Sequence, residues 1–584
     1  MASRPDWRLI AFAPWGRLFA RTPALFSEIP VAIAALALFY GLLRLTHYWS
    51  APVTTQVPID LSAGALPVYA LFSVSRIAIA YVLSLVFSVG YGYIAAHNAR
   101  AERIMVPVLD TLQSIPVLSF LPGVMTSMVA LFPTTQFGLE LGSIILIFTG
   151  QVWNMAFSVY SSLKNLPREM VEAAEVYRLG TWQRFTQLEL PQTAIGLIWN
   201  SMMAVAGGWF SLMVCEMFVL GNRDLRLPGL GSYLQTASNA GDTAAIVLGL
   251  IVMIAVIVFI DQIFWRPIIA WSDKFKFEQI EASERPGSRV LQLLRRSKLL
   301  ERVEDAVITP SREALILRFA RSNARRNPDP QPRRTAKWFS RFLLVLAVTG
   351  MLYATVRMSI MLAELTATDL NQIFWGAGAT FLRIELTLVL AALWTIPAGV
   401  LIGLRPKLAA IFQPVAQVAA SVPAPALFPI LLLLLIKIGS GLGIASILLL
   451  LLGTQWYILF NVIAGASAIP SDLKEVCDIF QLSALQRWRH LLLPAIFPYL
   501  ITGLVTASGG AWNASILAEY FRFRGQTFSL TGIGAVISRA TDAGNLPLLL
   551  AATAVISGMV VVINRLVWRR LYTLAGTRYK LELS

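Results

Sequence analysis

Four ionisable side chains stand in or beside strongly apolar stretches: Arg76, Glu216, Arg383 and Glu519. An ionisable group at membrane depth is costly and is functional by default. The pattern is one arginine near the start of an apolar run and one glutamate near the end of another, twice over. Opposite charges at similar depth predict pairing within each half, either as a bridge that fixes helices or as an outer gate or anion-attracting vestibule. Arg223, Arg226, Arg522 and Arg524 add positive charge to the expected outer loops. Trp209 and Trp512 follow the glycine pairs Gly207-Gly208 and Gly509-Gly510. Small residues there permit close helix approach, or the tryptophans line a translocation route. Catalytic chemistry is missing from the pattern. His47, His97 and His490 are scattered, and no nucleophile with a base and no metal-spaced cluster occurs. Cys215 and Cys477 fall in different compartments, which argues against a disulfide or a shared metal. No glycine-rich phosphate loop ending in Gly-Lys-Ser/Thr is present, so ATP is not bound that way. The expectation is a non-enzyme without metal or cofactor of its own.

The elements that hold these residues follow from composition. Of 584 residues, 57% are hydrophobic and 14% charged, with mean hydropathy +0.66. A soluble domain carries about 25% charge, so much of this surface is expected to meet lipid. Backbone groups in lipid must be satisfied internally, which restricts spans to helices or a closed barrel. Long apolar runs without period-2 alternation exclude the barrel. Spans are expected near 29–47, 70–97, 104–132, 142–163, 192–220 and 244–266, then 341–362, 379–403, 408–436, 443–464, 495–520 and 546–568. The third of each set is broken by prolines, Pro116 and Pro122 in one and Pro423, Pro425 and Pro429 in the other. The N-terminal run reads as an uncleaved first helix, too long for a signal-peptide core. The net charge of +16 sits mainly in loops that one orientation places on the cytoplasmic side. No basic stripe interleaved with aromatics suggests nucleic acid.

The chain repeats itself. Residues 150–268 align with 453–571 at a constant offset of 303: Trp153 with Trp456, Pro167 with Pro470, Glu172 with Glu475, Pro191 with Pro494, Trp209 with Trp512 and Glu216 with Glu519. Upstream the offset is 307, matching Arg76 with Arg383 and Pro116 with Pro423. The expectation is two parallel copies of an all-α polytopic unit of about six helices each, related by a pseudo-two-fold axis. The domains are residues 1–272 and 341–584. A basic linker, 273–340, is expected in the cytoplasm, with 288–300 and 312–324 as candidate amphipathic helices against lipid headgroups.

The loop between the fourth and fifth spans of each half is too structured for a mere connection. In the first half Pro167 is expected in the opening helical turn and Gly180 as a left-handed stop. Met170, Ala173, Ala174 and Tyr177 share one apolar face, as do Leu473, Val476, Cys477 and Phe480 in the second half. Ser483 and Gln486 make a capping box for a second short helix. Such a face either packs on its own domain or enters a groove on a partner.

Glu172-Ala173-Ala174, then Gly180, then Leu190-Pro191, resembles the loop of ABC-importer permeases that docks on the ATPase. The resemblance implies two tandem type I ABC-importer transmembrane domains. It makes 167–182 and 470–485 coupling elements, with Met170, Glu172, Ala173, Ala174, Tyr177, Gly180 and Pro191 matched by Leu473, Glu475, Val476, Cys477, Phe480 and Pro494. The second copy departs at Val476-Cys477 and at Ser483. Arg76, Trp209, Glu216, Arg383, Trp512 and Glu519 are expected in the pathway or gate. Residues 114–118, 207–217 and 227–231 are similar to the nitrate/sulfonate/taurine/bicarbonate group, which implies a small anion as solute; iron or thiamine importers and a gradient-driven transporter are the alternatives. Two ABC ATPase subunits, which bind the ATP and Mg, are the implied partners, with membrane lipid, and a periplasmic or lipid-anchored binding protein is left open. The expected location is the bacterial inner membrane, with both termini cytoplasmic.

Overall fold

The computed structural model describes residues 58–177, 179–220, 223–272, 334–437, 442–523 and 526–578, with a few isolated positions elsewhere. The expected first span at 29–47 and the candidate linker helices lie outside the described residues. Among the described residues, eight helices are long and apolar enough to cross a membrane.

In chain order the first half has α1 (Leu66–His97), α2 (Ala99–Ser114), α3 (Leu121–Leu131), α4 (Phe137–Lys164), α5 (Arg168–Val176), α6 (Thr181–Glu216), a hairpin β1–β2 (Val219–Leu220, Arg223–Asp224), α7 (Leu230–Ala240) and α8 (Thr243–Ser272). The second half has α9 (Arg334–Leu362), α10 (Ala367–Gly403), α11 (Pro406–Ser421), α12 (Ala424–Lys437), α13 (Leu442–Ser467), α14 (Ser471–Ile479), α15 (Ala484–Ala518), a hairpin β3–β4 (Tyr520–Phe523, Gln526–Ser529), α16 (Ile533–Ala543) and α17 (Leu546–Arg578). Helix α9 takes in residues 334–340, which the sequence reading gave to the linker.

The repeat is visible in irregularities as well as in spans. Helix α5 recurs 303 residues on as α14, and α7 as α16. The wide π-turns at Phe185–Glu189 and Asp261–Trp265 recur as Trp488–Leu492 and Asn564–Trp568. Each proline break has the same cause. The residue before proline is pushed out of the helical region, so Ile115 is extended ahead of Pro116 and α2 stops at Ser114. Val422 does the same ahead of Pro423, and α11 and α12 meet at a bend of 81°.

By contacts the described chain falls into two units. One holds residues 166–198 and 260–272: α5, the start of α6 and the end of α8. The other holds 58–165, 199–259 and 334–578. In this larger unit the core gathers Ile384, Leu449, Ile458, Trp512, Ile533 and Ile556, and it reaches into the first half through Leu118, Phe210 and Val214. Two hydrogen bonds cross between the halves there: Leu118 N donates to Asn513 Oδ1 at 3.2 Å, and Thr553 Oγ1 donates to Ser119 O at 3.4 Å.

Candidate coupling loops and membrane charge clusters

Helix α5 is a nine-residue helix whose N-cap is Pro167. The proline therefore stands just outside the first turn rather than within it. Gly180 is not a left-handed stop. Its φ is −65° and ψ 160°, and it is the N-cap of α6, with its N–H donating to Gln183 Oε1 at 3.0 Å. In the second half the left-handed residue is Gln481, at φ 49°, and Ser483 takes the N-cap position. Ser483 N donates to Gln486 Oε1 at 2.8 Å, and Gln486 N donates to Ser483 Oγ at 3.4 Å. Serine is a good N-cap and glycine a tolerable one, so the Gly180/Ser483 difference preserves the local geometry.

The second short helix of each loop is the first turn of a continuous span. Helix α6 runs from Thr181 and α15 from Ala484 without a break. Pro191 has no N–H and needs room for its ring. A π-turn supplies that room just before it, with Leu190 N bonded to Phe185 O. Pro494 stands in the same relation to the turn closed by Leu493 N and Trp488 O.

The predicted apolar faces divide. Ala174 is buried and Met170 is half-buried, with its sulfur 3.6 Å from Gln192 Nε2. Ala173 and Tyr177 are exposed, Tyr177 at 78%. Likewise Cys477 is buried and Leu473 half-buried, while Val476 and Phe480 are exposed. The exposed arc also includes Val176 and Ile479, at 79% and 75%, which the spacing argument missed. Glu172 and Glu475 are exposed as well. Each short helix thus presents an outward apolar ridge at the tip of a well-capped loop.

The arginines after these helices have exchanged partners. Arg184 Nε lies 2.8 Å from Glu189 Oε1 across the π-turn. Arg487, its repeat-mate, reaches back to Asp478 on α14 at 2.6 Å, because Leu492 stands where Glu189 would be.

At the opposite end of α6, the expected Arg76–Glu216 pair forms at 2.6 Å and is part of a larger cluster. Arg76 Nη2 also meets Glu140 Oε1 at 2.6 Å, and Nε donates to Glu140 Oε2 at 2.7 Å. Ser73 Oγ donates to Glu216 Oε1 at 2.7 Å, and Gly231 N donates to Oε2 at 2.7 Å. Arg76 Nη1 donates to Pro228 O at 2.9 Å. Glu216 therefore caps the N-terminus of α7, where free backbone N–H groups favour an anion. Gly229 leaves space for this: a Cβ there would overlap the Glu216 carboxylate. The second half repeats the arrangement. Arg383 pairs with Glu519, Thr380 Oγ1 donates to Glu519 at 2.6 Å, Gly534 N at 2.8 Å, and Gly532 leaves the space. Sequence reasoning missed Glu140, for which the only available signal was a lone carboxylate at the mouth of an apolar run.

Trp209 and Trp512 lie two helical turns before these glutamates and are buried, at 2% and 0% exposure. Neither lines an open channel in this structure. The close helix approach is at Gly208, against Gln151 of α4, whereas Gly207 faces open space. Among the described residues no group of three or more potential metal ligands occurs.

Comparison with known proteins bears on the whole arrangement. The model of the family described as binding-protein-dependent transport system inner membrane component matches residues 88–265 and again 395–572. The chain belongs to this family. It carries the family domain twice, and as a member it is a membrane-embedded transport component. The nitrate import permease protein NrtB of Leptolyngbya laminosa is 33% identical over 147 residues, which is 25% of this chain and 51% of the relative. The bicarbonate transport system permease protein CmpB of Synechocystis sp. is 33% identical over the same length and shares. The taurine transport system permease protein TauC of Escherichia coli is 26% identical over 186 residues, 32% of this chain and 62% of the relative. The chain spans about half the length of the curated relatives it matches first.

Proposed function

We propose that this chain is the translocating component of an ATP-driven importer, with two permease lobes in one polypeptide. The lobes are residues 1–272 and 341–584, about six spans each around a pseudo-two-fold axis, and 273–340 tethers them on the cytoplasmic side. Two ABC ATPase subunits, binding ATP and Mg, dock on the short helices α5 and α14. The observation that carries this reading is the repeated outward ridge, Val176 and Tyr177 on one helix and Val476, Ile479 and Phe480 on the other. Exposed apolar side chains of this size at capped loop tips favour insertion into a partner groove. Glu172 and Glu475 border the ridges and contact the same groove, while Met170, Ala174, Leu473 and Cys477 seat each helix on its own lobe. Gly180, Pro191 and Pro494 set the rigid path from ridge to span, and Ala173 contributes to the docking arc.

ATP binding draws the two docked helices together and turns the cavity toward the outer side. The clusters at Arg76/Glu216 and Arg383/Glu519 hold the outer ends of the spans, and Trp209 and Trp512 close the route in the state described. The solute is a small anion of the nitrate, sulfonate/taurine or bicarbonate type, supported by similarity to permeases named for these solutes. A soluble or lipid-anchored binding protein delivers it.

The test is co-purification of the ATPase with full-length Tyr177→Asp and Phe480→Asp chains. Both variants are expected to insert normally, to lose ATPase binding at the altered lobe and to lose uptake. Undiminished ATPase recovery and transport from the double variant would overturn the docking assignment.

A further inference from the structure

The second half keeps a cavity that nothing above uses. It measures about 420 Å³ and lies at the Arg383/Glu519 end of that half, between the first turns of α10, strand β4 and α16. Small-molecule sites commonly span about 300–1,000 Å³. The polar lining is Asn371, Gln372, Ser529, Thr531 and Arg539, with Trp375 beside them. Among the described residues the first four side chains make no hydrogen bond, and Arg539 spends only its Nε, which donates to Ala535 O at 3.3 Å. Its two terminal guanidinium nitrogens are left over. No carboxylate lines the cavity among the described residues. The acids nearest in sequence are engaged elsewhere: Asp369 accepts from Thr366 N at 3.0 Å in its own helix cap, and Asp542 accepts from the Tyr520 hydroxyl.

The repeat supplies an internal control. Asn371, Gln372 and Trp375 correspond to Gly64, Ala65 and Val68, and Arg539 corresponds to Thr236. Val536, which also lines the cavity, corresponds to Tyr233, whose hydroxyl donates to Leu61 O at 3.0 Å. Thr236 accepts from Arg226 Nη1 at 3.0 Å. The first half thus places a phenol ring where the second has a small valine, and it ties its arginine internally. The second half presents a cation ringed by neutral hydrogen-bonding groups. The cavity also stands at the head of a lipid-facing strip. Leu370, Phe374 and Trp375 begin a run of exposed apolar side chains that continues along α10 through Leu382, Leu386 and Val389. Tryptophan at the end of such a run sits at headgroup level.

We infer that this cavity binds the phosphodiester of a membrane phospholipid, with Arg539 as the charged anchor. The donor set decides the chemistry. The terminal N–H groups of a guanidinium form a fixed fork that matches two phosphate oxygens. The amide nitrogens of Asn371 and Gln372 and the hydroxyls of Ser529 and Thr531 supply further donors, and the amide carbonyls accept from headgroup hydroxyls. The acyl chains lie along the exposed strip of α10. That strip favours a lipid over free phosphate, because inorganic phosphate would fill the cavity and leave Phe374 and Trp375 without a partner. The leaflet is the one away from the coupling loops. Calling it the outer leaflet rests on the importer reading, whereas the binding event does not.

The experiment is thermal unfolding of the full chain purified in detergent, titrated separately with dioctanoyl phosphatidylglycerol, with dioctanoylglycerol, which lacks the phosphate, and with inorganic phosphate at matched ionic strength. The midpoint is expected to rise saturably with the phospholipid and not with dioctanoylglycerol, and inorganic phosphate is expected to act only at far higher concentration. Arg539→Gln, at an exposed position, is expected to raise the half-maximal lipid concentration about tenfold, the loss of one hydrogen bond to a charged group. Val536→Tyr installs the first half's residue and is expected to weaken the response as much by filling the cavity. Arg570→Gln, an exposed arginine at the other end of the spans, is expected to leave it unchanged. An equal rise with dioctanoylglycerol, a lipid response unaltered by Arg539→Gln, an equal loss in Arg570→Gln, or no rise at all would each overturn the inference. Inorganic phosphate acting at the same concentration as the lipid would overturn the assignment to lipid. ATPase co-purification is read separately, so a chain that binds the phospholipid but recruits no ATPase would count against the importer reading and not against this site.

Discussion

The two charge clusters share one scaffold and differ by a carboxylate. In the first half Arg76 is 1% exposed and sits between Glu140 and Glu216. In the second half Arg383 is 14% exposed and faces Glu519, because Gly443 stands where the repeat would put a second acid. Burying a guanidinium completely requires that its donors be filled and its charge be matched. Arg76 meets that requirement with two carboxylates and the Pro228 carbonyl; Arg383 meets it with one carboxylate, the Thr531 carbonyl and partial contact with solvent. The lesson is that a duplicated element keeps its backbone bonds, namely Gly231 N or Gly534 N to the glutamate, while the side-chain shell drifts with local exposure.

Substitutions that remove one partner at a time test this difference between the clusters. The largest effect is expected from Arg76→Met, which strands two buried carboxylates; breaking a buried pair costs about 3–5 kcal/mol. Arg383→Met is expected to cost clearly less, and equal losses of thermal midpoint would erase the distinction. Gly229→Ala and Gly532→Ala come next. Each drives a methyl into the glutamate carboxylate, an overpacking cost of about 1–3 kcal/mol, and a matched pair of losses would show that both halves rely on the same cradle. Glu140→Gln is expected to cost about 1.5 kcal/mol, the lower end of the range for a hydrogen bond to a charged group. A neutral outcome would make the extra carboxylate dispensable.

At the loop end the contrast is smaller. Ser483→Ala is expected to lose about 1 kcal/mol of helix capping, whereas Gly180→Ser should be neutral or stabilising; stability measurements on the two variants check both signs. The smallest effect concerns Glu102, which Lys164 and Tyr160 hold by hydrogen bonds at 2.8 and 2.7 Å. The hydrogen bond from Lys164, followed by that from Tyr160, sets its carboxyl below the usual glutamate range. The folded state therefore gains stability above the unfolded glutamate pKa and loses it as pH falls through the lower folded value. The second half has Ala409 and Ser467 at these positions. Thermal midpoints measured on the acid side should fall slightly less steeply for Glu102→Gln than for the parent chain.

The repeat was the most legible part of the sequence. Its offset of 303 holds for the short helices, for α7 and α16, and for the π-turns, although the turns themselves and the two hairpins were not foreseen. The Arg76–Glu216 and Arg383–Glu519 pairs were legible because charge in an apolar run is expensive and each needed an opposite. Glu140 was not legible because it has no repeat-mate: Gly443 stands at the equivalent position of the second half. The coupling faces were half legible. Helical spacing identified apolar positions on α5 and α14, but neighbouring arcs are both apolar, and only packing shows that Ala174 and Cys477 turn inward while Val176 and Ile479 turn out. Gly180 was misread because glycine suits both a left-handed stop and an N-cap, and one residue of phase separates the two.

The most direct test of force transmission is a distance between the two ridges. Spin labels at Val176→Cys and Ile479→Cys, both exposed, can be placed in a chain whose native Cys215 and Cys477 are buried. With the ATPase subunits bound, the inter-label distance is predicted to shorten when ATP is added and to lengthen again after hydrolysis. A distance that stays constant through the cycle, in complexes that still hydrolyse ATP and transport solute, would contradict the account.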